Sequence, residues 1–180
     1  GSTQRFMRIY GSSHLYFLLQ GYAVLDRTAM PMLGDPETTY DTFVPQLVAD
    51  AEAAVAKAVE MGVADPERIG IIGHSHGGLM VANLLAHSDL FRAGIARSGS
   101  YNKTTQPFGF QSERRSLFEA RDVYIHLSPT FFADQVNEPV LVIHGNDDSN
   151  PGTLTFQSEV FFEAVRGSGG TARLVLLPFE

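Results

Sequence analysis

The segment from residue 69 to residue 87 restricts the fold of this chain more than any other stretch of its sequence. It starts with the apolar run Ile-Gly-Ile-Ile-Gly at 69–73, and an apolar helical pattern follows almost at once, from Gly77 to His87. A short apolar run bounded by turn residues predicts a buried strand, and recurrence at helical spacing predicts a helix. Residues 74–76 therefore have to form a very tight turn between a strand and a helix.

The rest of the chain repeats this alternation. The same two patterns predict further strands at 22–25, 93–97, 139–145 and 172–177, and helices at 14–20, 42–61, 128–134 and 153–166. Residues 98–118 fit neither pattern and are predicted to form a long loop that borders a site. Such alternation is typical of an α/β fold, in which a mostly parallel sheet carries helices on both faces. Ligands bind these sheets beyond the carboxyl ends of the strands.

Composition excludes several classes of protein. The chain has 180 residues, of which 44% are hydrophobic, so it can bury the core of one domain or of a large part of one. Its formal net charge of −7 and scattered basic residues argue against nucleic-acid binding, which depends on clustered Lys and Arg. It has no cysteine, no apolar run long enough for a membrane span and no signal-peptide pattern. We therefore expect a soluble protein, cytoplasmic or periplasmic, without a membrane partner.

The tight turn has the sequence Gly-His-Ser-His-Gly at 73–77, which matches the G-x-S-x-G pattern of a nucleophile elbow. We expect side chains at Gly73 and Gly77 to collide with the strained turn, and Gly78 to allow close packing of the helix. The backbone N–H of His76 would lie at the helix N-terminus, where it can stabilise an oxyanion. The alternative is a glycine-rich turn without any chemistry.

Two histidines flank the serine, but we expect neither to act as its base. Neighbours on a tight turn point away from the serine oxygen, so His74 is expected to pack under the sheet and His76 to line a pocket. A metal site built on the two would need a third ligand and a strand-like spacing, whereas the glycines indicate a turn. The sequence therefore predicts no metal and no cofactor.

A serine nucleophile at Ser75 needs a base, which is usually a histidine oriented by a carboxylate. In a fold with a nucleophile elbow the acid follows the serine along the chain, and the histidine comes last. Asp147 and Asp148 directly follow the predicted strand 139–145, so either can serve as the acid. The alternative for both is that they only form a turn.

The catalytic histidine has no candidate in the expected place. None of the six histidines follows Asp148. His144 lies within a predicted strand and is interpreted as structural, and His87 as the last residue of a helix. We therefore expect the catalytic histidine beyond Glu180. We also expect the strand whose loop supplies the second oxyanion N–H to precede residue 1.

Several runs of residues carry a resemblance to a known family. They are GHSHGG at 73–78, ANLLAH at 82–87, GIARSGSYN at 94–102, TQPFGFQ at 105–111, IHG at 143–145 and NPGT at 150–153, with Gly1-Ser2 and Arg5-Phe6 near the start. In these runs the chain resembles the prolyl oligopeptidase family of serine peptidases. Within that family it is most similar to the glutamyl endopeptidases of the plant chloroplast type and their bacterial relatives.

The resemblance implies a catalytic α/β-hydrolase domain, which in the intact protein packs on an N-terminal β-propeller. It maps the nucleophile onto Ser75, favours Asp148 as the acid and places the catalytic histidine shortly after Glu180. It implies a peptide substrate that is cleaved after glutamate, whose side chain would need a basic partner. The candidates for that partner are Arg97, Lys103, Arg114 and Arg115.

Two other functions fit the same sequence. An esterase or an acylaminoacyl-peptidase-like hydrolase would need the same elbow, because a fold does not determine its substrate. A catalytically inactive hydrolase-like domain could instead serve only for binding. The 180 residues alone are expected to be inactive if the catalytic histidine lies outside them.

Overall fold

A computed structural model describes residues 13–179, and at its centre lies a sheet of four parallel strands. The strands are β1 (Gly70–His74), β2 (Ala93–Arg97), β3 (Val140–Gly145) and β4 (Ala172–Leu177), and they lie side by side in that order. All three pairings are parallel. The four corresponding predicted strands and the predicted α/β class are therefore confirmed. Gly1-Ser2 and Arg5-Phe6, which contributed to the family resemblance, lie outside the described residues.

Within residues 13–179, four α-helices accompany the sheet. They are α1 (Phe43–Glu60), α2 (His76–His87), α3 (Arg121–His126) and α4 (Thr155–Gly167). Short 3₁₀ segments occupy His14–Gln20, Thr39–Thr42, Pro66–Arg68, Lys103–Thr105 and Pro129–Gln135. The predicted helices at 42–61, 77–87 and 153–166 are confirmed, and those at 14–20 and 128–134 are 3₁₀ rather than α.

Two local predictions failed for reasons that local patterns cannot reveal. The predicted buried strand at 22–25 is wrong, because no strand forms there and Tyr22 and Leu25 are 59% and 65% exposed. An apolar run becomes a strand only when a neighbouring strand pairs with it. Helix α3 was missed because six residues are too few to show a helical period, although Val123 and Tyr124 are buried in it.

Helix α2 is the centre of the core because it is apolar on nearly all sides. Its residues from Leu79 to Ala86 are buried, with the sole exception of Met80, which is half-buried. It packs closely on β1 and β2: a Cβ at Gly94 would lie 2.6 Å from a methyl group of Leu85, which would have to move aside. The burial of this helix against the sheet holds its N-terminus at the carboxyl end of β1.

The opposite side of β1 is exposed. Gly70, Ile72 and His74 alternate along the strand and are all exposed, so this side of β1 is uncovered within residues 13–179. The expectation that His74 packs under the sheet is therefore wrong for the described residues. Strand alternation alone predicts which side His74 occupies, but it does not tell whether that side is covered.

Candidate active site

Ser75 lies at the sharp turn between β1 and α2, in a backbone conformation that side chains rarely adopt. Its φ of 56° and ψ of −118° fall outside the favoured regions for residues other than glycine. Two hydrogen bonds hold this conformation: the N–H of Ser75 donates to the carbonyl of Arg97 at 2.9 Å, and the N–H of Gly78 donates to the carbonyl of Ser75 at 2.9 Å. Such a strained serine between a strand and a helix is the geometry of a nucleophile elbow.

The glycines of the elbow have different roles. A Cβ at Gly73 would lie 2.2 Å from the carbonyl oxygen of Gly77, and a Cβ at Gly78 would lie 2.9 Å from the carbonyl oxygen of Arg97. These two glycines are therefore needed for close backbone contacts, as expected. The expectation for Gly77 is wrong, because a Cβ there would meet nothing within 4 Å. The turn brings the backbone of Gly77 close to Gly73, but it leaves room for a side chain on Gly77 itself.

Ser75 opens into a cavity of about 230 Å³ that two distant segments complete. Lys103, Gln106 and Phe110 line it from the loop after β2, and residues 150–153 line it from the loop after β3. The predicted role of the loop at 98–118 as a site border agrees with this arrangement. A larger cavity of about 500 Å³ lies beside Tyr40 and Arg115 and does not include Ser75. Ser75 therefore belongs to the smaller cavity.

Asp148 is a buried carboxylate whose two oxygens accept three hydrogen bonds from the described residues. The N–H of Asn150 donates to Oδ1 at 2.9 Å, the hydroxyl of Thr153 donates to Oδ2 at 3.1 Å, and His144 Nε2 lies 3.0 Å from the same Oδ2. Burial alone would raise the pKa of Asp148, but these hydrogen bonds outweigh it and hold the pKa below its usual value. Asp148 is therefore ionised near neutral pH, whereas Asp147 is exposed to solvent.

The sheet brings Ser75 and Asp148 to the same edge. Ser75 follows the last residue of β1, Asp148 lies just beyond β3, and both strands run parallel through β2. Thr153 connects the two regions, since it lines the cavity of Ser75 and donates a hydrogen bond to Asp148. This common edge is where ligands of parallel sheets bind.

The backbone N–H of His76 is free to bind a ligand. His76 is the first residue of α2, and none of the hydrogen bonds found within residues 13–179 uses its N–H. Its imidazole ring lines the cavity and packs edge-on against Phe43 with a centroid distance of 5.6 Å. Burial, followed by the positive charge of Lys103, lowers the pKa of His76 to about 4. The ring is therefore neutral at neutral pH.

Lys103 places a buried cation in the same cavity. It is 3% exposed, its Nζ lies 3.4 Å from the Gln106 side-chain oxygen and 4.9 Å from the ring centroid of Phe110. No carboxylate within residues 13–179 forms an ion pair with it. Burial lowers the pKa of Lys103 to about 8 because the charged form is poorly solvated. A buried ammonium without a counter-ion is unusual and favours the entry of an anion.

The three arginine candidates lie outside this cavity. Arg115 donates hydrogen bonds to Glu113 at 2.7 Å and to Asp41 at 2.7 Å, so its charge is already paired. Those two partners raise its pKa further. Arg97 is half-buried at the end of β2, and Arg114 is exposed. Of the four basic residues that the sequence suggested, only Lys103 lines the cavity of Ser75, whereas Arg97 contacts Ser75 through its backbone carbonyl.

The sequence did not single out several residues that complete the cavity. Gln106, Phe110, Gly152 and Thr153 line it, and they lie within two of the runs that carry the family resemblance. The richness of these runs in glycine, proline and aromatic residues was the available signal. Nothing in the sequence indicated that the two runs meet, because they are separated by β3 and about forty residues.

The described residues offer neither a metal centre nor a membrane span. Within residues 13–179, no three His, Asp or Glu side chains are grouped closely enough to hold a metal ion. In the same part of the chain, none of the helices combines the length and the apolar character needed to traverse a bilayer.

A strained serine between a parallel strand and a helix, with a carboxylate beyond a later strand, defines an α/β-hydrolase. Comparison with known proteins extends this assignment. Residues 45–180 match the model of the prolyl oligopeptidase family, and the chain belongs to that family.

The similar curated proteins are much longer than this chain. Two proteins described as "Probable glutamyl endopeptidase, chloroplastic", from Arabidopsis thaliana and Oryza sativa subsp. japonica, are 50% and 49% identical over 100% of the chain. The chain spans 19% of the length of each. An acylamino-acid-releasing enzyme of Arabidopsis thaliana is 29% identical over 74% of the chain, which spans 19% of that protein.

Solved structures show the same fold. An acylaminoacyl peptidase of Pyrococcus horikoshii superposes with a TM-score of 0.67 at 29% identity, over 78% of this chain and 24% of that one. A puromycin hydrolase gives a TM-score of 0.63 at 27% identity, over 72% of this chain and 21% of that one. Both comparisons agree with the α/β-hydrolase fold that the elbow and the parallel sheet indicate.

Proposed function

We propose that this domain carries the nucleophile and the acid of a serine peptidase that cleaves peptide bonds through an acyl-enzyme. The observation that carries the proposal is the strained Ser75, which opens into a cavity bordered by the loop of Asp148. A serine in this conformation is unfavourable for folding and is retained where its hydroxyl has to be presented to a substrate.

In the proposed reaction, the Ser75 hydroxyl attacks the carbonyl carbon of the scissile bond and gives its proton to a histidine base. The carbonyl oxygen becomes an oxyanion, to which the free N–H of His76 donates a hydrogen bond. The histidine then protonates the leaving amine as the carbon–nitrogen bond breaks, which leaves the acyl group on Ser75. A water molecule, deprotonated by the same histidine, hydrolyses the ester and restores the serine.

We propose that this histidine comes from a segment after residue 180, since His76 is the only histidine among residues 13–179 that lines the cavity. Asp148 would orient it and stabilise its charged form. Among the described residues, Oδ1 of Asp148 accepts a single hydrogen bond, from Asn150, so it retains a lone pair for the histidine N–H. The β-propeller implied by the family resemblance stays a prediction.

We propose further that the enzyme cleaves after glutamate and that Lys103 binds the glutamate side chain. The ammonium of Lys103 lies in the cavity of Ser75 without a counter-ion among residues 13–179, and the Gln106 amide next to it can donate a second hydrogen bond. A carboxylate that enters would remove the cost of a buried, unpaired charge and form a charge-assisted hydrogen bond. The names of the relatives, glutamyl endopeptidases, support the same preference.

Peptide reporters that differ only in the residue before the cleaved bond test this proposal. With the full-length protein, we expect kcat/KM for glutamate to exceed that for glutamine by about 100-fold, since truncating one partner of a buried charge pair costs about 2–5 kcal/mol. Lys103→Met should remove most of this ratio, and Lys103→Arg should retain part of it. Lys57→Met, at an exposed lysine, is the control. An unchanged ratio in Lys103→Met would refute the role of Lys103.

An esterase or an acylaminoacyl-peptidase-like activity is the second candidate, favoured by the similarity to the acylaminoacyl peptidase of Pyrococcus horikoshii. The set of peptide reporters described above decides between this activity and the glutamyl peptidase when acetyl-alanyl and simple ester reporters are added to it. Faster turnover of those reporters than of the glutamyl peptide would favour the second candidate.

A fluorophosphonate probe tests the alternative that the domain only binds a ligand. Labelling of the full-length protein that is lost in Ser75→Ala excludes this alternative, and absence of labelling supports it.

A further inference from the structure

His144 is a fully buried residue of β3 to which the proposed reaction gives no role. It is 0% exposed, and both of its ring nitrogens have partners. Nε2 lies 3.0 Å from Oδ2 of Asp148, and Nδ1 lies 2.5 Å from the hydroxyl oxygen of Ser158, which is also 0% exposed and belongs to α4. The ring therefore connects the proposed acid to a strand and a helix of the core.

The direction of these hydrogen bonds follows from the groups that take part. The Asp148 carboxylate is ionised, so it can only accept, and the proton between it and His144 has to reside on Nε2. When the ring is neutral, Nδ1 carries a lone pair and accepts the hydroxyl proton of Ser158. The Asp148 carboxylate therefore fixes the tautomer with the proton on Nε2, and the Ser158 hydroxyl, which can donate or accept, adapts to it and ties the ring to α4.

The other two partners of Asp148 cannot supply this connection to the core. Asn150 and Thr153 belong to the same short loop as Asp148, between β3 and α4, so they would move with the carboxylate if the loop shifted. His144 alone among the three lies in a strand, where backbone pairing to β4 fixes its position. A catalytic group needs support of this kind, since a deviation of about 0.5 Å already impairs a site.

We propose that His144 is a positioning residue that holds Oδ2 of Asp148 toward the sheet, which leaves Oδ1 for the catalytic histidine. Two histidines would then bind one carboxylate, a buried one that sets its orientation and a reactive one that it orients in turn. This inference rests on the proposed role of Asp148 as the acid of the triad.

The test compares two substitutions of His144 in the full-length protein. His144→Leu removes both hydrogen bonds, whereas His144→Gln keeps an N–H that can reach Asp148. We expect kcat for a glutamyl reporter to fall about 10- to 100-fold in His144→Leu, as for other residues that orient a catalytic ligand, with KM nearly unchanged. His144→Gln should recover most of that loss. Equal losses in the two variants would overturn the inference.

A loss of stability alone has to be distinguished from a loss of positioning. Val142→Ala is the matched control, because Val142 is 0% exposed in the same strand and has no contact role in the site. It should lower the melting temperature but leave kcat per folded enzyme unchanged. A comparable fall of kcat in Val142→Ala would show that any damage to β3 suffices, and would overturn the proposed role.

A double-mutant cycle separates this inference from the function on which it rests. In Asp148→Asn, a further His144→Leu substitution should change kcat by less than about threefold, since the group to be positioned is already lost. Full additivity would overturn the inference. If Asp148→Asn loses activity while His144→Leu does not, the inference fails and the proposed function stands. If Asp148→Asn retains activity, both fail.

If His144→Leu does not fold, Ser158→Ala takes its place in the cycle. This substitution leaves the ring but removes the hydroxyl that ties Nδ1 to α4. We expect a fall in kcat of about 3- to 10-fold, the effect of about 1 kcal/mol from one hydrogen bond, and again no additivity with Asp148→Asn. An additive effect, or none at all, would overturn the inference.

Discussion

The two sides of the candidate active site differ in how completely their polar groups are paired. Around Asp148, three donors bind the two carboxylate oxygens, and the histidine among them is itself held by Ser158. Around Lys103, the cation has one long contact to Gln106 and an aromatic ring, but no carboxylate from the described part of the chain. The paired side suits a group that must keep one orientation, and the unpaired side suits a group that binds a partner from the substrate.

This difference has a consequence for stability. A hydrogen-bonded buried carboxylate adds to the free energy of unfolding, whereas a buried charge without a counter-ion reduces it. Substitutions on the two sides should therefore reduce activity in both cases but change stability in opposite directions. A measurement of both quantities on the same variants tests the comparison directly.

The largest effect is expected for Asp148→Asn. Loss of the charged acceptor should reduce kcat about 10⁴-fold, because the catalytic histidine is no longer held in the correct tautomer. It should also lower the free energy of unfolding by about 1–3 kcal/mol, since one carboxylate oxygen becomes an NH2 group and at least one of the three buried donors loses its acceptor. Steady-state kinetics and urea unfolding of the full-length protein measure the two effects. Asp147→Asn, at the exposed neighbour, is the control and should change neither.

The next effect is a dependence on pH that has opposite signs for binding and for stability. The pKa of Lys103 is lowered to about 8, so the empty cavity loses its ammonium above pH 8. KM for a glutamyl reporter should rise about tenfold for each pH unit above that value, and KM for a glutaminyl reporter should not. A steady KM between pH 8 and pH 10 would contradict the cationic pocket.

Stability should change in the other direction over the same range. Between the lowered pKa of about 8 and the usual pKa of a lysine, the unfolded chain binds a proton that the folded protein does not. The free energy of unfolding therefore gains a contribution as the pH rises through this window, and the penalty of the buried ammonium is fully present below pH 8. The difference between wild type and Lys103→Met in urea unfolding at pH 7 and pH 10 isolates this contribution, because other titrating groups cancel.

Lys103→Met is itself expected to stabilise the protein. It replaces a buried, unpaired charge by an apolar side chain of similar length, and a gain of about 1–2 kcal/mol at pH 7 is within the range seen when buried charges are replaced. The gain should accompany the loss of glutamate preference, a trade-off between stability and activity that is common at functional sites. A less stable Lys103→Met would mean that the ammonium is paired in the folded protein.

The extent to which the sequence predicted this molecule depends on how local each feature is. The helices Phe43–Glu60 and Thr155–Gly167 and the four strands have periodic or apolar runs, and each was predicted close to its bounds. The elbow is predictable from the sequence because it is local: Gly73 is needed for a close backbone contact with Gly77, only four residues further along the chain.

Features that depend on distant contacts could not be predicted in the same way. The pattern of residues 22–25 predicts a strand, but no strand among residues 13–179 pairs with them. The sequence suggested four basic residues as partners for an anion. Lys103 differs from the other three because the loop after β2 and residues 150–153 after β3 together form a cavity that only Lys103 lines. His144 was interpreted as structural, because nothing in the sequence shows that its ring contacts both Asp148 and α4.

The smallest effect is expected where the two sides of the site meet, at Gly152. A Cβ there would lie 2.9 Å from the side-chain nitrogen of Gln106 and 3.3 Å from the side-chain oxygen of Asn150. Since the end of Gln106 can move aside, Gly152→Ala should fold, but Gln106 would no longer support a carboxylate at Lys103. We expect KM for glutamyl reporters to rise about 2- to 5-fold, with kcat nearly unchanged. This is a smaller effect than the complete loss of one hydrogen bond would have. Gly167→Ala, where a Cβ meets nothing within 4 Å, is the control. A fall in kcat instead would place Gly152 with Asp148, on the paired side of the site.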